Sequence, residues 1–189
     1  MQTHKVMKII VGVTGASGTI YARRLLERVI PLSAVSEIAL IVTDNGKAVA
    51  EYEGEAFPAS DKIRIADNHS MFDATASGSA DYDAMVVIPC SMGTLGRIAS
   101  GVSTDLMCRA ADVMLKERRR LILCTRETPL SLIHIKNMER VTLAGGIILP
   151  ASPSFYSRPA SLEELCDTVV ERVIAHAGVD APHFQWIGK

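Results

Sequence analysis

Aromatic residues are scarce in this chain, at 5% of 189 residues with one tryptophan. A surface that stacks nucleic-acid bases is built from such rings, so their scarcity argues against that class. An excess of one charge is lacking too: 20 Lys and Arg stand against 21 Asp and Glu, for a formal net charge of −1. Nothing therefore steers the chain to nucleic acid or to an anionic membrane. Cysteine occurs at Cys90, Cys108, Cys124 and Cys166, never as CxxC and never at a His–Cys metal spacing. Each lies in or beside an apolar segment, which reads as reduced thiols in a cytosolic core. The five histidines form no metal constellation, and only His69 falls in a stretch worth watching. Long apolar runs are absent near the start: Ile9 to Val13 is too short for a signal core or a membrane span. The expectation is a cytoplasmic protein with no metal and no membrane partner.

What is present is an alternation. Apolar strand candidates cover Val6–Thr14, Glu37–Thr43, Lys62–Ile65, Ala84–Pro89, Arg120–Thr125 and Gly146–Leu149. Several are apolar nearly throughout, as parallel strands covered on both faces are. Between them stand helical stripes, one of Ala22, Leu25, Leu26, Val29 and Ile30, another of Leu106, Ala110, Val113 and Met114. The spacing of Ser161 and Glu164 predicts a capping box at the start of a last helix that runs to about Ala177. Alternating β and α segments predict an α/β fold, a doubly wound parallel sheet of Rossmann-like or flavodoxin-like type in three α/β/α layers. One domain over residues 1–189 is expected, with its core at about 6–177. Residues 67–83 carry the least pattern, and long unpatterned loops in compact domains are often functional.

In such a sheet ligands sit beyond the carboxyl ends of the strands. The segments there are "TGASG", "TDNG", "PCSMGT", "TRETP" and "PASPSFYSRP", rich in Ser, Thr, Gly and Arg and without His. They offer hydroxyl, backbone N–H and guanidinium donors suited to phosphate. Gly12, Gly15 and Gly18 resemble the turn of a nicotinamide dehydrogenase, or form a tight turn without a ligand. The Tyr-x-x-x-Lys pair of the short-chain dehydrogenases is missing: Leu25, Ala56, Val86 and Ala160 stand four residues after the four tyrosines. Asp44 lies 26 residues past Gly18, a loose match for a ribose-binding acid, and serves equally as a helix cap. A mononucleotide fits better. Ser91 and Thr94 flank Gly93 at a helix start, as anion ligands or as caps alone. Cys90 reads as a buried thiol rather than a nucleophile. Arg109, Asp112 and Lys116 share one helix face, either a solvated ion-pair ladder or a basic wall for an anion. Thr128 and Pro129 read as the cap and first residue of a helix, which leaves Arg126 and Glu127 as site candidates. Tyr156 and Arg158 stand in a loop, and Arg172 either snorkels from an apolar helix face or points into a site.

The segments "GVTGASGTIYARRLL", "PCSMGTL", "RAADVMLKERRRLILCTRETPLS", "NMERVTLAGGIILPASPSFYSRP" and "VVERVI" together resemble the UbiX flavin prenyltransferases, once described as aromatic-acid or 3-octaprenyl-4-hydroxybenzoate decarboxylases. The resemblance spans nearly the whole chain. It implies transfer of a dimethylallyl group from dimethylallyl phosphate to N5 and C6 of reduced FMN, without a metal. The product, prenylated FMN, would serve a UbiD-type decarboxylase. It implies that Gly15, Ala16 and Ser17 hold FMN, with Ser17 near N5 and the Thr43 hydroxyl at the phosphate. Ser91, Met92, Gly93, Thr94 and Arg126 complete the flavin contacts. Arg109, Lys116, Arg126, Tyr156 and Arg172 surround the substrate phosphate. Ser17, Lys116, Glu127 and an acid placed at Glu53, in "EYEGE" beside Glu51 and Glu55, form the catalytic set. It implies a homo-oligomer, a dodecamer, with Trp186 in the tail docking on a neighbour. Two alternatives share the fold: a cysteine-decarboxylase type, which carries a "PxNANT"-like motif and a catalytic His, and an FMN-binding delivery protein. "PCSMGT" stands where the first would need its motif, with no matching His.

Overall fold

The computed structural model describes residues 6–182. Trp186 and its proposed docking lie outside the described residues. Six strands, β1 (Met7–Val13), β2 (Val35–Val42), β3 (Ile63–Ala66), β4 (Ala84–Cys90), β5 (Arg120–Thr125) and β6 (Ile147–Ile148), form one sheet. Its order is β3-β2-β1-β4-β5-β6 and every pairing is parallel. This is the doubly wound arrangement the alternation predicts, with its switch point between β1 and β4.

The period-2 pattern of the strands divides the core between the two faces. Ile9, Val11 and Val13 of β1, with Val86 and Ile88 of β4, pack on one side with Leu25, Leu26 and Val29 of α1 (Ile20–Val29) and Val170 and Val173 of α6 (Leu162–Ala177). Ile10, Met85, Val87, Leu121 and Leu123 face the other side. There they meet Leu95 of α3 (Met92–Ala99), Ala110 and Val113 of α4 (Leu106–Lys116) and Val141 of α5 (Leu132–Leu143). Each such Val, Leu or Ile contributes about 1.5–3 kcal/mol on burial. That two-sided burial makes the strands apolar throughout.

Two helix starts differ from expectation. Thr128 and Pro129 do not begin α5; its N-cap is Ser131, whose Oγ accepts from the His134 N–H at 3.2 Å. His134 Nδ1 in turn accepts from the Ser131 N–H at 3.3 Å. A histidine thus closes a capping box that a search for Glu or Gln passes over. At α6, Ser161 accepts from the Glu164 N–H at 3.1 Å, but the Glu164 carboxylate reaches back to the Ala160 N–H at 2.6 Å instead of the cap residue.

The 67–83 stretch is anchored rather than loose. It holds two short turns, Ala74–Ala76 and Gly78–Ala80. Arg64 on β3 donates to both oxygens of Asp73, at 2.5 and 3.1 Å, and to the Tyr82 hydroxyl at 2.9 Å. Tyr82 is buried and donates to Glu37 at 2.5 Å. At the near end, Asn68 is buried and its side-chain oxygen accepts from the Met107 N–H at 3.0 Å, which fastens the stretch to the start of α4.

Candidate active site

Three helix starts and one loop meet at the carboxyl edge of the sheet. Thr14, at the end of β1, is buried; its hydroxyl donates to the Pro89 carbonyl at 2.7 Å and accepts from the Ser91 N–H at 2.8 Å. That clamp ties β1 to β4 at the switch point. Gly15 follows, and a Cβ there would lie 2.5 Å from the Cβ of Asn45. Only glycine lets the loop approach the first turn of α2 (Asp44–Glu53) this closely. Gly18 takes φ +100°, the left-handed region that favours glycine.

Glu53 organises this loop from below. Its carboxylate accepts from the Gly18 N–H at 2.9 and 3.2 Å, from the Thr19 N–H at 2.8 Å and from the Thr19 hydroxyl at 2.6 Å. Burial alone would raise its pKa. The bonds from the Ser17 and Thr19 side chains and the two backbone N–H groups outweigh that and hold it below the usual carboxylate range. Of the three acids in "EYEGE", this one belongs to the glycine loop. Glu55 pairs with Arg23 at 2.5 Å, and Glu51 is exposed.

A cavity of about 640 Å³ opens at the switch point, within the range of small-molecule sites. Gly15, Thr43, Ser91, Gly93 and Thr94 line it, all of them flavin contacts expected from the sequence; of the other expected contacts beside them, Ala16 and Met92 are buried, Ser17 is exposed, and none of the three lines the cavity. Thr43 caps α2 by accepting from the Gly46 N–H at 3.0 Å, which leaves its own O–H to donate. Ser91 caps α3, and its hydroxyl donates to Thr94 Oγ1 at 3.2 Å. Thr94 thus keeps its O–H for a ligand. Hydroxyls and free helix N–H groups converging on one polar hollow fit the phosphate and ribityl chain of a flavin mononucleotide.

Several lining residues were not named as site residues from the sequence, although Asn45 lies in "TDNG" and Asn68 in the 67–83 stretch. Asn45, Asn68, Arg97 and Asp105 reach the cavity only because α2, α3, α4 and the 67–83 stretch fold against it. His69 lies at its edge, 2.9 Å from Asp44 through Nε2.

Arg126 and Glu127 occupy a second hollow of about 420 Å³ at the ends of β5 and β6, with Thr128, Leu130, Met138 and Ser152. The Arg126 N–H donates to the Cys90 carbonyl at 3.2 Å, which sets this hollow beside the end of β4. The remaining candidates do not converge on either hollow. Arg109 donates to the Ala76 carbonyl at 3.2 Å and pairs with Asp112 at 2.6 Å. Lys116 is the last residue of α4, at the edge where β5 begins, and pairs with Glu117. Arg172 is exposed on α6 beside His176, and Tyr156 is exposed on its loop. α4 runs antiparallel to the strands, so the ladder Arg109–Lys116 leads away from the carboxyl edge.

All four cysteines are buried and free. Burial pushes the Cys108 and Cys124 thiols up to about 12 and raises Cys90 and Cys166 as well, which disfavours any thiolate nucleophile. Among the described residues no group of three or more His, Cys, Asp or Glu could hold a metal ion, and no helix is long and apolar enough to cross a membrane.

The sequence profile of the Flavoprotein family matches residues 1–178. The flavin prenyltransferase UbiX of Methanothermobacter thermautotrophicus is 44% identical over 98% of this chain and 98% of its own. A solved structure of AnUbiX (PadA1) in complex with FMN and dimethylallyl pyrophosphate is 38% identical, with a TM-score of 0.86 over 96% of this chain and all of that one. A dodecameric FMN-dependent UbiX-like decarboxylase from Escherichia coli O157:H7 is 36% identical, with a TM-score of 0.87 over 96% of this chain and all of that one. An FMN-dependent cysteine decarboxylase, TvaF, has a TM-score of 0.62 at 13% identity over 91% of this chain and 98% of that one, a likeness of fold alone. With its glycine loop, its polar switch-point cavity and this full-length likeness, the chain belongs to the UbiX flavin prenyltransferase family.

Proposed function

We propose that this chain is a flavin prenyltransferase that transfers a dimethylallyl group from dimethylallyl phosphate to N5 and C6 of reduced FMN, and so supplies prenylated FMN to a UbiD-type decarboxylase. The observation that carries the reading is likeness along the full chain, 44% identity over 98% of both sequences, to a flavin prenyltransferase. Bound FMN supplies the nucleophilic ring atoms. The chain's residues do the rest. The loop Gly15–Ala16–Ser17, Thr43, and Ser91 to Thr94 bind and orient the flavin, with Arg126 at its edge. Glu53 holds the loop N–H groups and the Ser17 side chain in place. Arg109, Lys116, Arg126, Tyr156 and Arg172 stabilise the leaving phosphate, where positioned cations act most strongly. Glu127 and Glu53 manage protons as the second bond closes.

Arg109, Lys116, Tyr156 and Arg172 line neither hollow of their own chain. In this reading they act within a homo-oligomer, a dodecamer, where the edge of one copy meets the hollow of another. The protein works as one flavoprotein domain in the cytoplasm, without a metal. The test is anaerobic incubation of the protein with reduced FMN and dimethylallyl phosphate, followed by mass analysis of the flavin. A flavin heavier by one prenyl unit is expected. Unmodified flavin, with an active control enzyme, overturns the reading.

A further inference from the structure

Arg97 is the one Lys or Arg among the residues lining the switch-point cavity. It stands four residues after Gly93 and three after Thr94 on α3, so all three share a helix face. A Cβ at Gly93 would meet nothing within 4 Å, so the space beside this residue, which lines the cavity together with Arg97, is open. Arg97 pairs with Asp105, the N-cap of α4, and donates from Nη2 to Thr94 Oγ1 at 3.4 Å. Asp105 also accepts from the Cys108 N–H at 2.9 Å, so the start of α4 shares its charge. A guanidinium has five N–H donors, and these two bonds leave three. The acid therefore orients the arginine without occupying it.

We propose that Arg97 determines the specificity of the cavity for a phosphorylated flavin: it binds the phosphate end of FMN, so that FMN is held and riboflavin, which lacks that group, is not. This rests on the proposed flavin site and adds a residue that neither the glycine loop nor the helix caps supply. The charge inventory demands it. The other titratable lining groups are the carboxylates Asp44 and Asp105 and the imidazole of His69, whose Nε2 is engaged 2.9 Å from Asp44, and a dianionic phosphate among those carboxylates needs a cation. Backbone N–H groups at the starts of α2 and α3 orient such a group, and the planar fork of an arginine matches its oxygens.

The experiment measures dissociation constants of oxidised FMN and of riboflavin by fluorescence quenching, on purified protein freed of flavin. Wild type, Arg97→Gln, Arg97→Lys and Asp105→Asn are compared. Wild type is expected to prefer FMN. Arg97→Gln should weaken FMN about 10- to 100-fold, as loss of a charged hydrogen-bonding partner does, and leave riboflavin within about twofold. Arg97→Lys should fall between, and Asp105→Asn, which keeps the cation but removes the carboxylate that orients it, should lower the preference less than Arg97→Gln does. Equal weakening of both flavins by Arg97→Gln means a structural role only and overturns the proposal, as does an unchanged FMN-to-riboflavin ratio. Failure of wild type to bind either flavin removes the flavin reading itself, and the proposal with it.

Discussion

Glu53→Gln tests the glycine loop most sharply. Four donors converge on this carboxylate: the Gly18 N–H, the Thr19 N–H, the Thr19 hydroxyl and the Ser17 side chain. A glutamine retains one acceptor oxygen and turns an NH₂ group towards donors. Charged hydrogen bonds contribute about 1.5–3 kcal/mol each. Glu53 is only half-buried and part of the set survives, so the expected loss is about 2 kcal/mol. For a chain of this length that corresponds to a fall in Tm of roughly 4–8 °C. The pH dependence has a definite sign. The folded-state pKa of Glu53 is depressed, because its hydrogen bonds outweigh its burial. Its contribution is therefore complete above the unfolded glutamate value of about 4.3 and is lost as pH falls through the lower folded value. Urea unfolding at fixed protomer concentration should show the full gap between wild type and Glu53→Gln at pH 7, and a shrinking gap below about pH 4. Glu51→Gln, at an exposed position, should change stability by less than about 0.5 kcal/mol. Equal stability of Glu53→Gln and wild type at pH 7, or a gap that widens in acid, refutes the assignment.

Three further outcomes follow from the same geometry. Gly15→Ala brings a methyl group to 2.5 Å from the Cβ of Asn45 and should cost about 1–3 kcal/mol in urea unfolding. Adding Asn45→Gly removes that contact and should recover most of the loss; no recovery means the loop fails for another reason. The four buried thiols should resist alkylation by iodoacetamide at pH 8 in the native protein and react fully in urea, counted by mass spectrometry. Rapid native labelling of Cys90 would contradict its burial. Ser17→Ala should still bind FMN, with its prenylation rate reduced about 10- to 100-fold as one positioned hydrogen bond is lost. An unchanged rate in single-turnover assays would remove Ser17 from the chemistry.

Much of this protein is legible in its sequence. The apolar strands and striped helices specified a doubly wound sheet, because a strand covered on both faces admits few polar residues. The segments following the strands indicated where the site lies, because ligands in such sheets gather at the carboxyl edge. Gly15, Thr43, Ser91 and Thr94 were readable there, and they do line one cavity. The resemblance placed the acid at Glu53 within "EYEGE"; tertiary structure alone shows that this carboxylate, rather than its neighbours Glu51 and Glu55, accepts from the N–H groups of a loop 35 residues away. Arg97, Asn68 and Asp105 were silent in sequence for the same reason: each sits within a helix, a loop or a cap and acquires its meaning where separate elements meet. The chain pattern likewise grouped Arg109 with Lys116 on one helix face. The antiparallel run of α4 then carried Lys116 to the far edge of the sheet, because one helix spans the layer from edge to edge. Local sequence determines which elements form and which ends bear donors. Only packing brings chain-distant groups within hydrogen-bond reach, and that contact makes a carboxylate or a guanidinium part of the site.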